Sequence, residues 1–166
     1  MDNETSTKTF IDAYDQYADE LYRFCLFKVS DPERAQDIVQ DVFTRYWQTV
    51  RMDTAITYPR ALLFTIARNR ITDWYRKKKE DSLDQLTDGG MEVEGGAGVD
   101  IEKAASYEEI LRAVETLDEP FREVILLRFT EGWSPAEIAA LTNETPNAVS
   151  VRLNRAIKKL QDRLRI

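Results

Sequence analysis

The stretch from Trp133 to Leu164, WSPAEIAALTNETPNAVSVRLNRAIKKLQDRL, constrains the fold of this chain more than any other. Ser134 suits the N-cap of a helix, Pro135 its first turn, where a missing N–H costs nothing, and Glu137 stands where it completes a capping box with Ser134. Thr145 and Pro146 repeat the cap-then-proline signal eleven residues later. Leu141-Thr142-Asn143-Glu144 between them leaves room only for a turn, and Ala139 and Ala140 are small enough to let two helices cross closely. This pattern is that of a helix-turn-helix. On the second helix Val149, Leu153, Ala156, Ile157, Leu160 and Leu164 share one side and form the core face. Asn147, Val151, Asn154, Arg155 and Lys158 fall opposite. Asn and Arg bond base edges in a major groove and an exposed Val can meet a thymine methyl; the same face would also serve as the solvated side of a structural helix.

The rest of the chain reads as helical too. Charged residues make up 32% of the 166, and the few glycines are concentrated in one region. The single cysteine, Cys25, lies in an apolar helical pattern, so a disulfide framework is excluded and the thiol is expected as a small core group. The start MDNETSTKTF has no basic n-region followed by an apolar stretch, and no segment has the roughly 18 apolar residues of a membrane span, so a cytoplasmic location is expected. With no histidine, the usual neutral-pH acid–base group and commonest metal ligand are missing, which argues against an enzyme and for no cofactor.

The net charge of −7 hides a segregation. Residues 42 to 79 carry 9 basic and 2 acidic groups and residues 144 to 166 carry 6 and 2, whereas residues 80 to 109 carry 1 and 10. Two basic segments flank an acidic one, so the overall charge misrepresents what local surfaces attract.

Taken in order, a first helix is expected from about Thr9 to Val29, with Phe10, Tyr14, Tyr17, Leu21, Phe24 and Cys25 inward. Ser30-Asp31-Pro32 ends it and starts a second, to about Val50, with Ala35, Ile38, Val39, Val42, Tyr46 and Val50 buried. Glu33, Asp37, Gln40, Thr44 and Trp47 point outward; Trp47 there is either an interface anchor or core beneath a neighbouring loop. Arg51 to Tyr58 reads as a loop, and Pro59 opens a third helix to about Lys79. Its buried arc is Leu62, Leu63, Ile66, Ala67, Ile71 and Trp74, while Arg68, Asn69, Thr72 and Arg76 line the other side and lead into Lys77-Lys78-Lys79. A basic row with Trp74 and Tyr75 interleaved suits a nucleic-acid strand; it would equally suit a solvated helix end. Arg70 falls inside the apolar arc and calls for an ion pair with Asp41 or another acid of the first two helices.

Residues 80 to 104, with their acids and Gly89-Gly90, Gly95-Gly96 and Gly98, read as a flexible acidic linker. Beyond it, Ile110, Leu111, Val114 and Leu117 suit one helix, and Asp118-Glu119-Pro120 begins another through Phe121, Val124, Ile125, Leu127 and Phe129, which Gly132 closes. The expected fold is all-α: a helical domain over 1–79, the linker, and a four-helix domain over 105–166 that contains the helix-turn-helix.

Both halves together resemble bacterial RNA polymerase sigma factors of the compact extracytoplasmic-function branch. The first half matches in Asp37-Ile38-Val39-Gln40-Asp41-Val42-Phe43 with Trp47, in Leu63-Phe64-Thr65-Ile66-Ala67-Arg68-Asn69, and in Asp73-Trp74-Tyr75-Arg76-Lys77. The second matches in Arg122-Glu123-Val124 to Phe129, Glu131-Gly132-Trp133-Ser134, Glu137-Ile138-Ala139, and Asn147-Ala148-Val149 with Arg152, Leu153, Arg155 and Ala156.

The resemblance implies a first domain that binds core RNA polymerase through Asp37, Gln40, Asp41 and Trp47. Arg68, Asn69, Thr72, Arg76 and Lys77, with the loop from Arg51 to Tyr58, would engage the opened minus-ten strand. It implies a second domain that reads the minus-thirty-five duplex through Asn147, Ser150, Val151, Asn154, Arg155 and Lys158. Ser150 stands where some relatives have a basic residue, and the loop lacks a glycine-containing sequence found in many. The expected partners are core RNA polymerase, promoter DNA and an anti-sigma protein, with no small-molecule substrate. The rival readings are a stand-alone dimeric helix-turn-helix regulator and, more remotely, an enzyme using Asp37 and Asp41 as a divalent-metal pair.

Overall fold

The computed structural model describes residues 2–84 and 106–165. The expected linker falls almost wholly outside them; its first five residues, 80–84, continue the third helix instead. Among the described residues all regular structure is helical.

Helix α1 runs from Asn3 to Val29, six residues earlier than expected. The polar segment 3–8 has no apolar period to announce a helix. It is held by the Asp2 cap, which accepts from the Thr5 N–H at 2.8 Å, and by the Thr7 and Thr9 hydroxyls, each donating to the carbonyl four residues back. Ser30, in the left-handed conformation at φ 53°, ends α1. The Asp31 side chain then caps α2 (Pro32–Arg51) by accepting from the N–H groups of Glu33 and Arg34. Helix α3 spans Pro59–Asp84. Helices α1, α2 and α3 pack together around Leu21, Phe24, Cys25, Val42, Tyr46, Leu63, Phe64 and Ala67. Burial pushes the Cys25 thiol up to about 12, as suits an inert core group. Tyr14, expected inward, is half exposed, because Phe10 and Phe43 already fill the space beneath it.

The second unit begins with the unforeseen cap Ser106, whose hydroxyl and Glu109 form a capping box for α4 (Tyr107–Glu115). Helix α5 (Glu119–Ile125) passes into a π-helical turn over Leu126–Thr130, where the Glu131 N–H reaches back five residues to the Leu126 carbonyl. The extra residue in that turn rotates the register, and Phe129 emerges 62% exposed while Val124, Ile125 and Leu127 are buried. Gly132, at φ 71°, ends the segment in the left-handed conformation that favours glycine, and the Trp133 N–H closes onto the Leu127 carbonyl.

Helix α6 (Pro135–Thr142) and helix α7 (Pro146–Leu164) form the helix-turn-helix with the expected caps. The Ser134 hydroxyl accepts from the Glu137 N–H at 3.1 Å while the Ser134 N–H donates to Glu137 at 2.7 Å. Thr145 accepts from the Ala148 N–H at 3.2 Å. Asn143, at φ 57°, makes the turn between them. Helix α7 lies against α4, α5 and α6 and buries Val149, Leu153 and Ala156.

Candidate nucleic-acid interface

Because one side of α7 is fixed into the second unit, its other side must face out. Asn147, Val151, Asn154, Arg155 and Lys158 are exposed and Ser150 is half-buried. Among the described residues no carboxylate pairs with Arg155 or Lys158. Arg152, on the same helix, is tied to Glu144 of the turn through both of its terminal nitrogens. That fork pins the start of α7 to the turn and leaves the outer amide and guanidinium groups to a ligand. The arrangement offers donors, acceptors and one apolar contact along about three helical turns, the chemistry of major-groove readout.

The expected strand-binding row on α3 is divided. Arg76 and Lys77 project into solvent, Arg76 only 3.8 Å from the exposed Asp73 carboxylate. Asn69 and Thr72 are also exposed, the Thr72 hydroxyl donating to the Arg68 carbonyl at 2.9 Å. Arg68, expected on an open face, instead reaches across to the second unit. It pairs with Glu123 of α5 through Nε and, at 3.3 Å, through Nη2, and donates from Nη1 to the Leu141 carbonyl at 3.4 Å. The aromatic pair is also partly engaged: Trp74 is half-buried beneath Lys78, and the Tyr75 hydroxyl donates to the Lys28 carbonyl.

On α2, Asp37 and Gln40 are exposed. Asp41 pairs with Arg70, the ion pair expected for a guanidinium inside the apolar arc, and lies 3.3 Å from Arg45. Trp47 does not stand free. It packs edge-on against Phe10 of α1 with ring centroids 5.4 Å apart, and Arg51 lies over its ring. Phe10 supplies this cover, so Trp47 is half-buried and joins the cluster of Phe10, Tyr14, Phe43 and Tyr46.

A seam between the two units went unread in the sequence. At one end Arg60 bridges Glu20 of α1, at 2.6 Å from Nε, and the Glu131 carbonyl, while its guanidinium lies 4.4 Å above the Trp133 ring. Trp133 is buried against Phe64, with centroids 5.0 Å apart. Arg23 donates to both oxygens of Glu131, at 3.4 and 3.2 Å; burial nevertheless raises the Glu131 pKa, outweighing that cation. At the other end Lys28, nearly all of its side chain buried, pairs with Glu119 and lies 3.9 Å from Glu123. Burial lowers the Lys28 pKa to about 8, Glu123 opposing the shift and Arg122 and Arg68 adding to it. The one signal available was Lys28 itself, continuing the inward stripe of Leu21, Phe24 and Cys25.

Among the described residues, helices alone, a helix-turn-helix with a free polar face and a second basic helix define an all-α DNA-binding protein of two units. Residues 13–80 match the family model of sigma-70 region 2 and residues 107–160 that of sigma-70, region 4. The ECF RNA polymerase sigma factor SigL of Mycobacterium tuberculosis is 32% identical over 149 residues, covering 89% of this chain and 84% of SigL. SigX of Bacillus subtilis is 26% identical over 165 residues, covering 96% and 85%. The chain belongs to the ECF RNA polymerase sigma factors, proteins that direct the initiation of transcription. Among solved structures, the sigma factor RpoE of Bartonella quintana, in complex with the anti-sigma factor NepR, has the same fold, with a TM-score of 0.76 at 24% identity over 96% of this chain and 98% of that one. CnrH in complex with the cytosolic domain of CnrY gives 0.69 at 25% identity over 95% and 88%. Among the described residues no helix is long and apolar enough to cross a membrane.

Proposed function

We propose that this sigma factor recruits core RNA polymerase through α2 and places it on promoters by two separate DNA contacts. The observation that carries the reading is the outer face of α7, exposed and unpaired opposite the buried Val149, Leu153 and Ala156, in a chain that carries sigma-70 regions 2 and 4 in order. Asn147, Ser150, Val151, Asn154, Arg155 and Lys158 read the minus-thirty-five element as duplex; the amides and Arg155 contact base edges and Lys158 a phosphate. Arg68, Asn69, Thr72, Arg76 and Lys77, with the loop before α3, hold the opened minus-ten strand. Capturing unpaired bases stabilises the melted promoter without covalent chemistry. Asp37, Gln40, Asp41 and Trp47 form the polymerase-binding surface.

The functional division is a first domain over 1–79 and a second over 105–166, joined through residues 80–104, of which 80–84 continue α3. Two tethered sites raise each other's local concentration, so contacts that are weak and salt-sensitive alone become selective together. An anti-sigma protein is a further partner, a reading supported by relatives solved in complex with NepR and CnrY. The protein works in the same compartment as the polymerase, the cytoplasm.

Run-off transcription with core polymerase and the Asn154→Ala and Arg155→Ala variants tests the upstream assignment. Each substitution is expected to cost about 1–3 kcal/mol of discrimination, roughly 5- to 150-fold, at promoters that depend on the upstream element. Unchanged promoter use by both variants would refute the assignment of α7.

A further inference from the structure

A hollow of about 470 Å³ lies beside the outer face of α7. Pro120 and Phe121 at the start of α5 and Ala148 and Val151 of α7 give it an apolar lining; Asp118, Arg152 and Arg155 are its polar members. Val151 is 39% exposed, and it is the apolar one among the side chains assigned to the upstream element, Asn147, Ser150, Asn154, Arg155 and Lys158 being polar. It follows Asn147 by four residues and precedes Asn154 and Arg155 by three and four, so it sits in the middle of that face.

An apolar surface in the middle of a polar reading face gains from what it removes from water. The apolar group that a major groove presents is the 5-methyl of thymine. The competing occupant is the sugar–phosphate backbone, and the charges of the hollow argue against it. Arg152 is already spent on Glu144, and the exposed Asp118 carboxylate repels an anion. Arg155 is the lining cation without a carboxylate partner among the described residues, and it reaches from the hollow to the neighbouring base.

We propose that the hollow is a thymine-methyl site: Val151, beside Ala148 and Phe121, selects one thymine of the upstream duplex by its 5-methyl group, while Asn147, Asn154 and Arg155 bond the base edges around it. The inference rests on the assignment of α7 to the minus-thirty-five element and adds to it the identity of one base. Thymine differs from uracil by this methyl alone, so deoxyuridine removes the contact and leaves every hydrogen bond of the base pair in place. Burying one methyl group is worth about a fourfold change in affinity.

The test uses the full chain assembled with core polymerase. Duplexes that this holoenzyme retains from a pool randomised across both promoter elements supply the template, and each upstream thymine is then replaced singly by deoxyuridine. Competition binding and run-off transcription compare the native chain with Val151→Ala. Alanine favours a helix more than valine does at an exposed position, so the variant keeps its fold. At one thymine, deoxyuridine is expected to weaken the native complex about fourfold and to leave the Val151→Ala complex nearly unchanged. Retained duplexes with no thymine in the upstream element overturn the site. So does a deoxyuridine effect that is absent at every thymine, or equal in the two proteins. Each of these results leaves the proposed function standing when the chain still directs run-off transcription. A holoenzyme that selects no upstream sequence at all overturns the assignment of α7 together with the thymine site.

Discussion

Lys28 gives the sharpest stability test, because its ammonium is buried where the sequence offers only an apolar stripe. Burial is the main cause that lowers its pKa from 10.5 to about 8. The groups facing it are Glu119, Glu123 and Arg122 of α5, Arg68 of α3, and Cys25 one turn back on α1. A base whose pKa falls on folding binds fewer protons in the native state than in the unfolded one between those two values, so its contribution to stability rises with pH across that window. At pH 7 the charged ammonium therefore costs stability, on the order of 3 kcal/mol from the gap of roughly two and a half pH decades at about 1.4 kcal/mol each. By pH 9 about 1 kcal/mol of this is recovered, because native Lys28 is by then mostly neutral while the unfolded side chain remains charged. Met fills a similar volume without a charge, and Arg68 and Arg122 still pair with Glu123 and Glu119. Lys28→Met is thus expected to be at least as stable as the native chain at pH 7, with an advantage that shrinks by about 1 kcal/mol by pH 9. Urea unfolding of both proteins in steps across that range measures it. The native-minus-variant difference also removes the contributions of Cys25 and Tyr46, whose raised pKa values act in the opposite direction at alkaline pH. A difference that stays flat from pH 7 to 9 would refute the buried, charged Lys28.

Three further outcomes are expected. Ser134→Ala removes the cap of α6 and should cost about 1 kcal/mol in urea unfolding. The Glu137 carboxyl, held low first by the Ser134 backbone hydrogen bond, should keep a lowered pKa in that variant when its titration is followed by NMR, because the donor is main chain. Trp47→Ala should lose about 1 kcal/mol of stability with its edge-on contact to Phe10, and weaken core-polymerase binding by a larger factor, about 30-fold for an anchor residue, as measured by a pull-down titration; collapse of the helical circular dichroism would make it a core residue only.

Local chemistry made much of the fold legible. Caps at Ser134 and Thr145, the stop at Ser30, the glycine turn at Gly132 and the periodic apolar arcs each act within a few residues, and the structure places them as the sequence suggests. Arg70 with Asp41 was legible for the same reason, since a guanidinium in an apolar arc must find a carboxylate. The start of α1 was hidden because segment 3–8 is stabilised by side-chain hydrogen bonds instead of burial. The π-helical turn left no mark in composition: one extra residue in a hydrogen-bond ladder changes the direction of Phe129 without changing the residues. The exposed face was legible on α7, where nothing among the described residues covers it, and less so on α2 and α3. Trp47 and Arg68 read as outward on a helical wheel, yet Phe10 covers one and Glu123 pairs with the other, and both partners lie far along the chain. A wheel describes one helix, whereas these contacts depend on how separate helices meet.

The role proposed for this chain is to make core polymerase promoter-specific. Its most direct measurement is transcription by purified core polymerase, with and without the chain, from a template carrying a promoter the chain serves, with the start site mapped. One defined start that depends on the chain is expected, from a protein that alone binds that duplex weakly. Tight, specific duplex binding by a dimer of the purified chain, with no stimulation of core polymerase, would contradict it and make the protein a stand-alone regulator.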